Sequence, residues 1–330
     1  MRNRLVLSKY FFYVKEYGNR TKIANAILNK TEYALGKRNL SSKPFKVTID
    51  PGNVCNLRCP GCHTGIKHPD MCTPKMLRYT DFVTLFDQVK DSIFSVALYN
   101  WGEPFLNKRI FDMIAYSSAN KTGSTVHSNF NHFSEQMAVD AVKSGLTHMY
   151  LSIDGSSHNT YSRYRVQGHL PTVLENLKLM IETKKRMGSI YPLITWKFLE
   201  FEHNKHEVYE AQRIAEAMGV DNFESFPANA GLNDIYSLTA SAMEKTDTVY
   251  PGKCHSLWNS MYLGSDGSVF PCSLAFRPSE SFGNLLTHSL QDIWNSEKYQ
   301  VARGMHSSGE APPYPCAGCL HYLTCKSARH

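Results

Sequence analysis

Between residues 45 and 228, short β-branched or aromatic runs alternate with longer amphipathic stretches. This alternation is typical of repeated βα units, in which helices join the strands of a parallel sheet. The predicted strands cover residues 46–50, 94–99, 124–128, 148–153, 193–198 and 223–226, and the predicted helices cover 80–92, 107–120, 134–144, 171–187 and 204–218. Because a closed barrel of this type needs eight strands, six strands predict an α/β fold with a partial (β/α)6 barrel.

The 330 residues leave room for attachments at both ends of such a barrel. We predict an N-terminal helical extension (1–43), the partial barrel (44–228), a connecting segment (229–249) and a small cysteine-rich C-terminal domain (250–330). Within the last region, Asp266-Gly267 predicts a β-hairpin after a strand at 260–263. Ser289 is predicted to cap a helix that runs to about Ala302.

The composition predicts no membrane or nucleic-acid partner. The N-terminal residues are basic, but their apolar runs are short, and no stretch of about 18 apolar residues occurs in the chain. The formal net charge of +7 is modest, and Lys and Arg are scattered rather than gathered into a basic stripe. We therefore expect a cytoplasmic protein that binds neither a membrane nor nucleic acid.

The nine cysteines fall into two groups with a long cysteine-free stretch between them. Because the cytosol keeps thiols reduced, metal ligands are favoured over a disulfide framework. The early group is Cys55, Cys59, Cys62 and Cys72, and the late group is Cys254, Cys272, Cys316, Cys319 and Cys325.

The sharpest motif is CNLRCPGC, whose cysteines Cys55, Cys59 and Cys62 directly follow the first predicted strand. Three thiolates on one loop can hold three corners of a [4Fe–4S] cluster and leave the fourth iron open for a ligand that is not protein. In a parallel barrel this loop lies at the C-terminal edge of the strands, where active sites are found. A zinc site is the alternative, with Cys72 as the nearby candidate for a fourth ligand.

The spacing of these three cysteines resembles the signature of the radical S-adenosylmethionine (SAM) superfamily. The resemblance implies that the cluster binds SAM and that an electron from the cluster cleaves it to a 5′-deoxyadenosyl radical, which abstracts hydrogen from a substrate C–H bond. The sequence departs from the family pattern at Gly61, because an aromatic residue usually precedes the third cysteine.

The resemblance continues at the ends of later predicted strands. After the second strand, Gly102, Glu103 and Pro104 match the family's Gly-Gly-Glu-Pro turn, which holds the SAM amino group, and Trp101 replaces its first glycine. A single residue of this kind is a weak signal, because an Asp after a strand, such as Asp154, is more often a turn former. The prediction therefore depends on the order of the matching residues at the ends of successive strands. The further cofactor-binding residues implied are Ser128, Asn129, Ser152 and Asp154, for the ribose, and Arg165, for the SAM carboxylate.

The late cysteines resemble the twitch and SPASM auxiliary domains that follow radical SAM barrels. The larger SPASM form needs further cysteines for two clusters, whereas the twitch form needs four. The resemblance therefore assigns one auxiliary [4Fe–4S] cluster to Cys254, Cys272, Cys316 and Cys319, with Cys325 as a spare or alternative ligand. A zinc knuckle at Cys316 and Cys319 is the alternative, because soft thiolates also suit zinc.

An auxiliary cluster can accept the second electron when a substrate radical is oxidised, or it can bind the substrate directly, so the resemblance favours oxidation over a simple rearrangement. We expect a radical SAM oxidoreductase that dehydrogenates a small hydroxylated molecule of sugar or cyclitol type, with a flavodoxin or ferredoxin as electron donor. The alternatives are a peptide or protein maturase or epimerase, and a noncatalytic metal-binding module. An N-terminal extension of 43 residues is short for a leader-binding domain, which favours the small molecule.

The residues that handle protons and hydrogen atoms are the least defined by the sequence. Cys72 is a candidate hydrogen-atom donor, although a buried thiol without a catalytic role is the alternative. Glu200 and Glu202, at the exit of the fifth predicted strand, are candidate bases, although glutamates in such places are usually only solvated.

Overall fold

A nine-stranded sheet organises the residues that the computed structural model of the chain describes, which are 11–228, 254–307 and 316. Its first six strands are β1 (Lys46–Ile49), β2 (Ser95–Ala97), β3 (Gly123–Ser128), β4 (His148–Ser152), β5 (Leu193–Glu200) and β6 (Asn222–Pro227). These strands lie side by side in chain order, and each neighbouring pair is parallel. The predicted α/β fold with a partial barrel is confirmed.

Helices precede the sheet and fill its connections. Residues 11–17 form α1, and the later helices are α2 (Arg20–Ala34), α3 (Tyr79–Val89), α4 (Ile110–Ala119), α5 (Glu135–Lys143), α6 (His158–Tyr164), α7 (Leu170–Arg186) and α8 (Val208–Met218). All five predicted connecting helices are present. Helix α6 was not predicted, because its seven residues make fewer than two turns and leave little periodic signal.

The two faces of the barrel sheet differ in polarity. Successive side chains of a strand point to opposite faces. In β1, Val47 and Ile49 are buried in the hydrophobic core that the helices share, whereas Lys46 and Thr48 keep exposed surface. The same alternation places polar residues such as Ser95 and Thr125 on the inner face of the barrel, and the hydrophobic core lies outside, under the helices.

The C-terminal region continues the barrel sheet. Strand β7 (Ser260–Leu263) pairs in parallel with β1, and β8 (Ser268–Phe270) and β9 (Gly283–Asn284) follow in antiparallel order. The hairpin predicted at Asp266-Gly267 is confirmed. The cysteine-rich part is therefore joined to the barrel through backbone hydrogen bonds and a shared sheet.

Three further helices accompany these strands: α9 (Ser256–Asn259), α10 (Leu290–Trp294) and α11 (Glu297–Ser307). Ser289 caps α10 as predicted, by accepting a hydrogen bond from the Asp292 amide. The prediction of one unbroken helix to about Ala302 is wrong. The helix stops at Asn295, whose side chain bonds both the amide and the carbonyl of Leu40.

The N-terminal helices contact both parts of the sheet. In α1, the Tyr13 hydroxyl lies 2.9 Å from Thr125 Oγ1 and 2.7 Å from His148 Nδ1, at the N-terminal ends of β3 and β4. In α2, Asn29 donates a hydrogen bond to the Trp258 carbonyl, at the entrance to β7. Residues 11–17 and 20–34 are helical, and both helices pack against the sheet.

Some predictions fall on residues outside those described. They are the first ten residues of the extension, the connecting segment 229–249, Cys319 and Cys325. Among the described residues, every helix is too short or too polar to cross a membrane.

The hairpin glycine offers a test of the C-terminal packing. Gly267 has φ +85°, and a Cβ added there would lie 2.6 Å from Leu286 Cγ. We expect Gly267→Ala to lower the free energy of unfolding by about 2–3 kcal/mol, because backbone strain adds to overpacking. The measurement is anaerobic denaturation in urea. Gly188→Ala is the matched control, since φ is +63° there but no atom lies within 4 Å, and it should cost about 1 kcal/mol. Equal losses would contradict the tight contact.

Candidate active site

The cysteine loop leaves the C-terminal end of β1 and brings Cys55, Cys59 and Cys62 together. Cys59 is buried in a small apolar cluster with Leu57 and Tyr164, and Cys55 and Cys62 pack against the same cluster. A charge on one of these thiols affects the others, because Cys59 and Cys62 both raise the pKa of Cys55. The three predicted ligands therefore share one site at the C-terminal edge of the barrel.

Burial favours the protonated form of two of these thiols, Cys55 and Cys59, when no metal is bound. Burial raises the pKa of Cys55 to about 11. It also raises the pKa of Cys59, although the nearby Arg165 opposes this effect. Because metals bind the thiolate form, loading this site must release protons and should be favoured at higher pH.

The donor set fits an iron–sulfur cube. In such a cluster each thiolate binds a different iron atom, and three soft ligands on one loop suit three corners. Within the described residues, no three His, Cys, Asp or Glu side chains are grouped so as to hold a single metal ion. Cys72 lies apart, because its amide and its thiol both donate to the Phe276 carbonyl at 3.4 Å, in the C-terminal region.

The turn after β2 packs directly on the cysteine loop. The Glu103 amide donates to the Val54 carbonyl at 2.9 Å. A Cβ at Gly102 would collide with the carbonyl oxygen of Gly52, so only glycine allows this close approach. Pro104 begins a short 3₁₀ turn that the Glu103 side chain caps. The predicted Gly102–Pro104 turn thus has its backbone beside the predicted cluster loop.

The buried carboxylate of Glu103 ties this turn to the end of β3. It accepts hydrogen bonds from Ser128 Oγ at 2.7 Å, the Asn129 amide at 2.7 Å and the Phe105 amide at 3.1 Å. The Asn129 side chain in turn lies 3.6 Å from Cys55 Sγ. Burial, the largest effect, raises the pKa of Glu103 to about 7 in spite of these donors. Three predicted cofactor-binding residues, Glu103, Ser128 and Asn129, therefore form one hydrogen-bonded unit with the predicted cluster ligand Cys55.

A second polar pair lies on the other side of the cysteine loop. Arg165 Nε donates to Asp154 Oδ2 at 2.6 Å, and its Nη1 lies 3.9 Å from Cys59 Sγ. Asp154 also accepts the Leu199 amide at 2.8 Å. Burial disfavours the charge on Arg165, but Asp154 and Cys59 outweigh it and hold the pKa well above its ordinary value. Ser152 ends β4 beside this pair, opposite Lys197 of β5.

The candidate bases lie in different surroundings. Glu202 is at the surface, with its side chain 83% exposed and 2.7 Å from Lys205 Nζ. Glu200 is half-buried at the end of β5, where it pairs with Pro227 of β6. The burial of Cys72 raises its pKa to about 11, so it is a neutral thiol near pH 7.

Three of the predicted auxiliary ligands gather around two tyrosines. Burial raises the pKa of Tyr262, and Cys272 and Cys254 raise it further. Burial likewise raises the pKa of Tyr299, Arg303 opposes this effect, and Cys272 and Cys316 add to it. Cys272 thus affects both phenols, whereas Cys254 affects Tyr262 and Cys316 affects Tyr299. None of the described cysteines forms a disulfide. Cys319 and Cys325 lie outside the described residues.

Sequence reasoning missed a row of side chains on the inner face of the barrel. Tyr99 and His127 stack at 3.7 Å between ring centroids, and Tyr150 follows at 4.6 Å from His127. Lys197 Nζ lies 5.5 Å from the centre of the Tyr150 ring. His127, Tyr150 and Lys197 occupy inward positions of their strands, and Tyr99 follows β2 in the same alternation as Ser95 and Ala97. The period-2 alternation was therefore the signal that could have found them.

A cluster next to the cysteine loop was also missed. His63 stacks on Phe276 of the C-terminal region at 3.7 Å, and the Trp101 ring lies 5.1 Å from His63. Among the described residues, His63 Nδ1 and Trp101 Nε1 are buried without a hydrogen-bond partner. Buried polar atoms are normally paired, so these two favour a ligand group at this position.

Two family models match the chain. The model of the radical SAM superfamily matches residues 49–203, and that of the SPASM iron–sulfur cluster-binding domain matches residues 254–320. The chain therefore carries a radical SAM domain followed by a SPASM-type domain. It is a radical SAM enzyme with a SPASM-type domain, and these domains imply SAM and two [4Fe–4S] clusters as cofactors.

Individual relatives of this radical SAM enzyme are distant. A tungsten-containing aldehyde ferredoxin oxidoreductase cofactor-modifying protein from Pyrococcus furiosus is 22% identical over 74% of this chain and 79% of its own length. In fold, the chain is similar to SuiB of Streptococcus suis bound to SAM, with a TM-score of 0.64, 15% identity, and coverage of 92% of this chain and 76% of SuiB. It is also similar to anSMEcpe with bound SAM, with a TM-score of 0.59, 13% identity, and coverage of 86% and 88%.

The buried side chain of Glu103 should make the free energy of unfolding of this radical SAM enzyme depend on pH. The pKa of Glu103 is 4.5 in an ordinary setting and about 7 in the fold, so the free energy of unfolding should fall as pH rises between these values. We expect Glu103→Gln to remove roughly 2 kcal/mol of the decline between pH 5 and pH 8, measured by denaturation in urea. Glu202→Gln, at the surface, should behave as the natural chain does. The same pH slope in all three proteins would mean that Glu103 is ionised in the fold.

Proposed function

We propose that this radical SAM enzyme is an oxidoreductase that dehydrogenates a small hydroxylated molecule of sugar or cyclitol type. The observation that carries the proposal is a cavity of about 380 Å³ on the inner face of the barrel. This volume lies in the range of small-molecule sites. Hydroxyl groups, which can both donate and accept hydrogen bonds, lie among the apolar side chains that line it, and they belong to Tyr13, Thr48, Ser95, Tyr99, Thr125, Ser260 and Tyr262.

In this proposal the chain's own residues hold two kinds of cofactor. The SAM-binding cluster is assigned to Cys55, Cys59 and Cys62, and the auxiliary cluster to Cys254, Cys272, Cys316 and Cys319, with Cys325 as an alternative ligand. SAM is assigned to Gly102, Glu103, Pro104, Ser128, Asn129, Ser152, Asp154 and Arg165. When bound, these groups supply a 5′-deoxyadenosyl radical and an electron acceptor.

Protein contacts prepare the SAM position in two ways. Glu103 fixes Ser128 and Asn129 against the cysteine loop, so these groups need little reorganisation when a ligand binds. Asp154 holds the Arg165 guanidinium in place, so that its remaining N–H groups can meet a carboxylate. An acidic flavodoxin or ferredoxin suits the chain's charge of +7 as electron donor.

A peptide or protein maturase or epimerase is the second candidate. SuiB has been solved with the precursor peptide SuiA, and anSMEcpe with the Cp18Cys peptide, and both have the fold of this chain. At 13–15% identity the likeness extends to the fold alone. The cavity volume of about 380 Å³ favours the small molecule over a peptide.

Iron content and SAM cleavage test the cluster assignment. After anaerobic reconstitution, we expect about eight irons per chain and dithionite-driven formation of 5′-deoxyadenosine. Replacing Cys55, Cys59 and Cys62 together by Ala should leave about four irons and abolish 5′-deoxyadenosine. Cys72→Ala is the matched control and should keep the full iron content, because its thiol lies apart from the other three. Retention of 5′-deoxyadenosine in the triple variant would refute the assignment.

Isotope transfer tests the substrate class. With cyclitols and sugars deuterated at carbon, a substrate should pass one deuterium to 5′-deoxyadenosine, because the radical abstracts that atom directly. The readout is mass spectrometry of 5′-deoxyadenosine alongside detection of a ketone product. Deuterium transfer from peptides, with none from cyclitols or sugars, would refute this proposal and support a peptide or protein maturase or epimerase.

A further inference from the structure

Helix α2 buries polar side chains. Lys22, Asn29 and Glu32 are each at most 2% exposed. Lys22 Nζ donates a hydrogen bond to the Lys121 carbonyl at 2.8 Å. Ser42 Oγ accepts a hydrogen bond from Asn29 at 3.0 Å and donates one to the Glu32 carboxylate at 2.6 Å. The polar groups on this side of the helix therefore have their partners inside the protein.

The opposite side of α2 exposes apolar side chains. Ile27 is 61% exposed and Leu35, directly after the helix, is 68% exposed, and Ile23 and Leu28 are 40% exposed each. At 3.6 residues per turn, these four positions lie on one side of the helix. A surface helix normally buries its apolar stripe and exposes its polar side chains. The reversed arrangement in α2 indicates a surface that a partner covers.

Positive charge accompanies this apolar stripe. Arg20 and Lys30 are exposed on α2, and Lys37 follows the helix with its side chain 49% exposed. The one acidic residue of α2 is Glu32, which is buried. The exposed side of the helix is therefore apolar and basic, so it suits a partner with an acidic surface.

The last turn of α2 contacts the neighbour of a proposed auxiliary ligand. The Tyr33 ring stacks on His255 at 4.3 Å between centroids, and the Tyr33 hydroxyl lies 3.2 Å from His255 Nε2. His255 directly follows Cys254 in the chain. A protein that covers the exposed side of α2 is thus separated from this contact by one helix diameter, roughly 10 Å.

The proposed dehydrogenation releases one electron in each turnover. After the hydrogen atom has been abstracted, the substrate radical loses a proton to a basic group and an electron to the auxiliary cluster, which gives the ketone. This electron must leave the cluster before the next turnover. An oxidised flavodoxin can accept it, because its flavin quinone takes up one electron, and a proton from solvent, to become a semiquinone while the cluster is oxidised again.

A second copy of this chain suits the surface less well. A symmetric dimer through α2 would bring the same patch of both copies together. Arg20 and Lys30 would then lie close to like charges, and α2 offers no exposed acid to pair with them. The stripe is also small, as is typical of the limited interfaces of weak electron-transfer complexes.

We propose that the exposed apolar and basic side of α2 is the docking surface for an acidic flavodoxin that takes up the electron from the auxiliary cluster. Ile27 supplies the central apolar contact, and Lys30 lies beside it. Tyr33 and His255 lie between the docked protein and Cys254. This inference rests on the proposed function, because the dehydrogenation supplies the electron that the partner removes.

Calorimetry with the reconstituted holoenzyme and oxidised flavodoxin tests the docking surface. We expect Ile27→Asp to weaken binding about tenfold or more at low ionic strength, because it removes an apolar contact and adds a charge that repels an acidic partner. Lys30→Glu should also weaken binding, and added salt should weaken the binding of the natural protein.

Two matched controls make the calorimetry specific. Tyr209→Asp places the same charge at a side chain that is 75% exposed on α8. Lys178→Glu reverses the charge of a side chain that is 71% exposed on α7. Both should bind flavodoxin as the natural protein does. Equal melting temperatures of all four variants establish that the fold is intact.

Electron transfer tests whether the docked protein receives electrons from the auxiliary cluster. The variant in which Ala replaces Cys55, Cys59 and Cys62 is expected to hold the auxiliary cluster alone, so it isolates this step. After reduction it is mixed with oxidised flavodoxin below saturation, and absorbance follows the flavin semiquinone. Semiquinone formation should slow about tenfold or more when Ile27→Asp is added, in proportion to the lost affinity, and stay unchanged when Tyr209→Asp is added.

The outcomes separate this inference from the function on which it rests. Equal affinity of flavodoxin for Ile27→Asp and the natural protein would overturn it, and so would equal rates of semiquinone formation. Binding to anionic lipid vesicles that Ile27→Asp abolishes, without affinity for flavodoxin, would assign the surface to a membrane. A dimer that Ile27→Asp dissociates would assign it to a second copy.

Deuterium transfer gives the remaining distinction. If deuterium passes from a cyclitol to 5′-deoxyadenosine but flavodoxin does not bind, the proposed function stands and the docking surface falls. If flavodoxin binding and semiquinone formation depend on Ile27 but no deuterium is transferred, the docking surface stands and the dehydrogenation falls.

Discussion

Strand β1 is paired on both sides by parallel neighbours, β2 and β7, and the rest of the architecture depends on this arrangement. The pairing with β2 starts the barrel in chain order. The pairing with β7 joins a segment more than two hundred positions away in sequence to the same sheet edge. Because the ladder is continuous, the cysteine loop after β1 and the cysteines near β7 are positioned by one set of backbone hydrogen bonds.

On top of this sheet, polar side chains fix the loops relative to one another. Glu103 connects the turn after β2 with the end of β3, and Asp154 connects the end of β4 with Arg165 and the backbone of β5. Both carboxylates are buried, so each unmade hydrogen bond would be costly. The loops at the C-terminal edge therefore have fixed positions even though they lack regular secondary structure.

Local periodicity and motif spacing predicted the barrel strands, their helices and the sets of residues at the strand ends. They did not predict that β7 pairs with β1, because a parallel pairing across such a distance leaves no local signal. The break at Asn295 was missed for a related reason, since the Asn side chain is recruited by Leu40 from the other end of the chain. The period-2 pattern indicates that Tyr99, His127 and Tyr150 point inward. It does not indicate that their rings stack, because that depends on the register of the neighbouring strands.

Helix α1 lies outside the stretch that matches the superfamily model, which begins at residue 49. Its Tyr13 nevertheless bonds Thr125 and His148 inside the barrel and lines the cavity. A fragment cut at the boundary of the family match would lose β1 as well as this phenol, and it would leave polar groups of β3 and β4 without their partner. The evolutionary module and the autonomous folding unit are thus different objects in this chain, and the second includes the N-terminal helices.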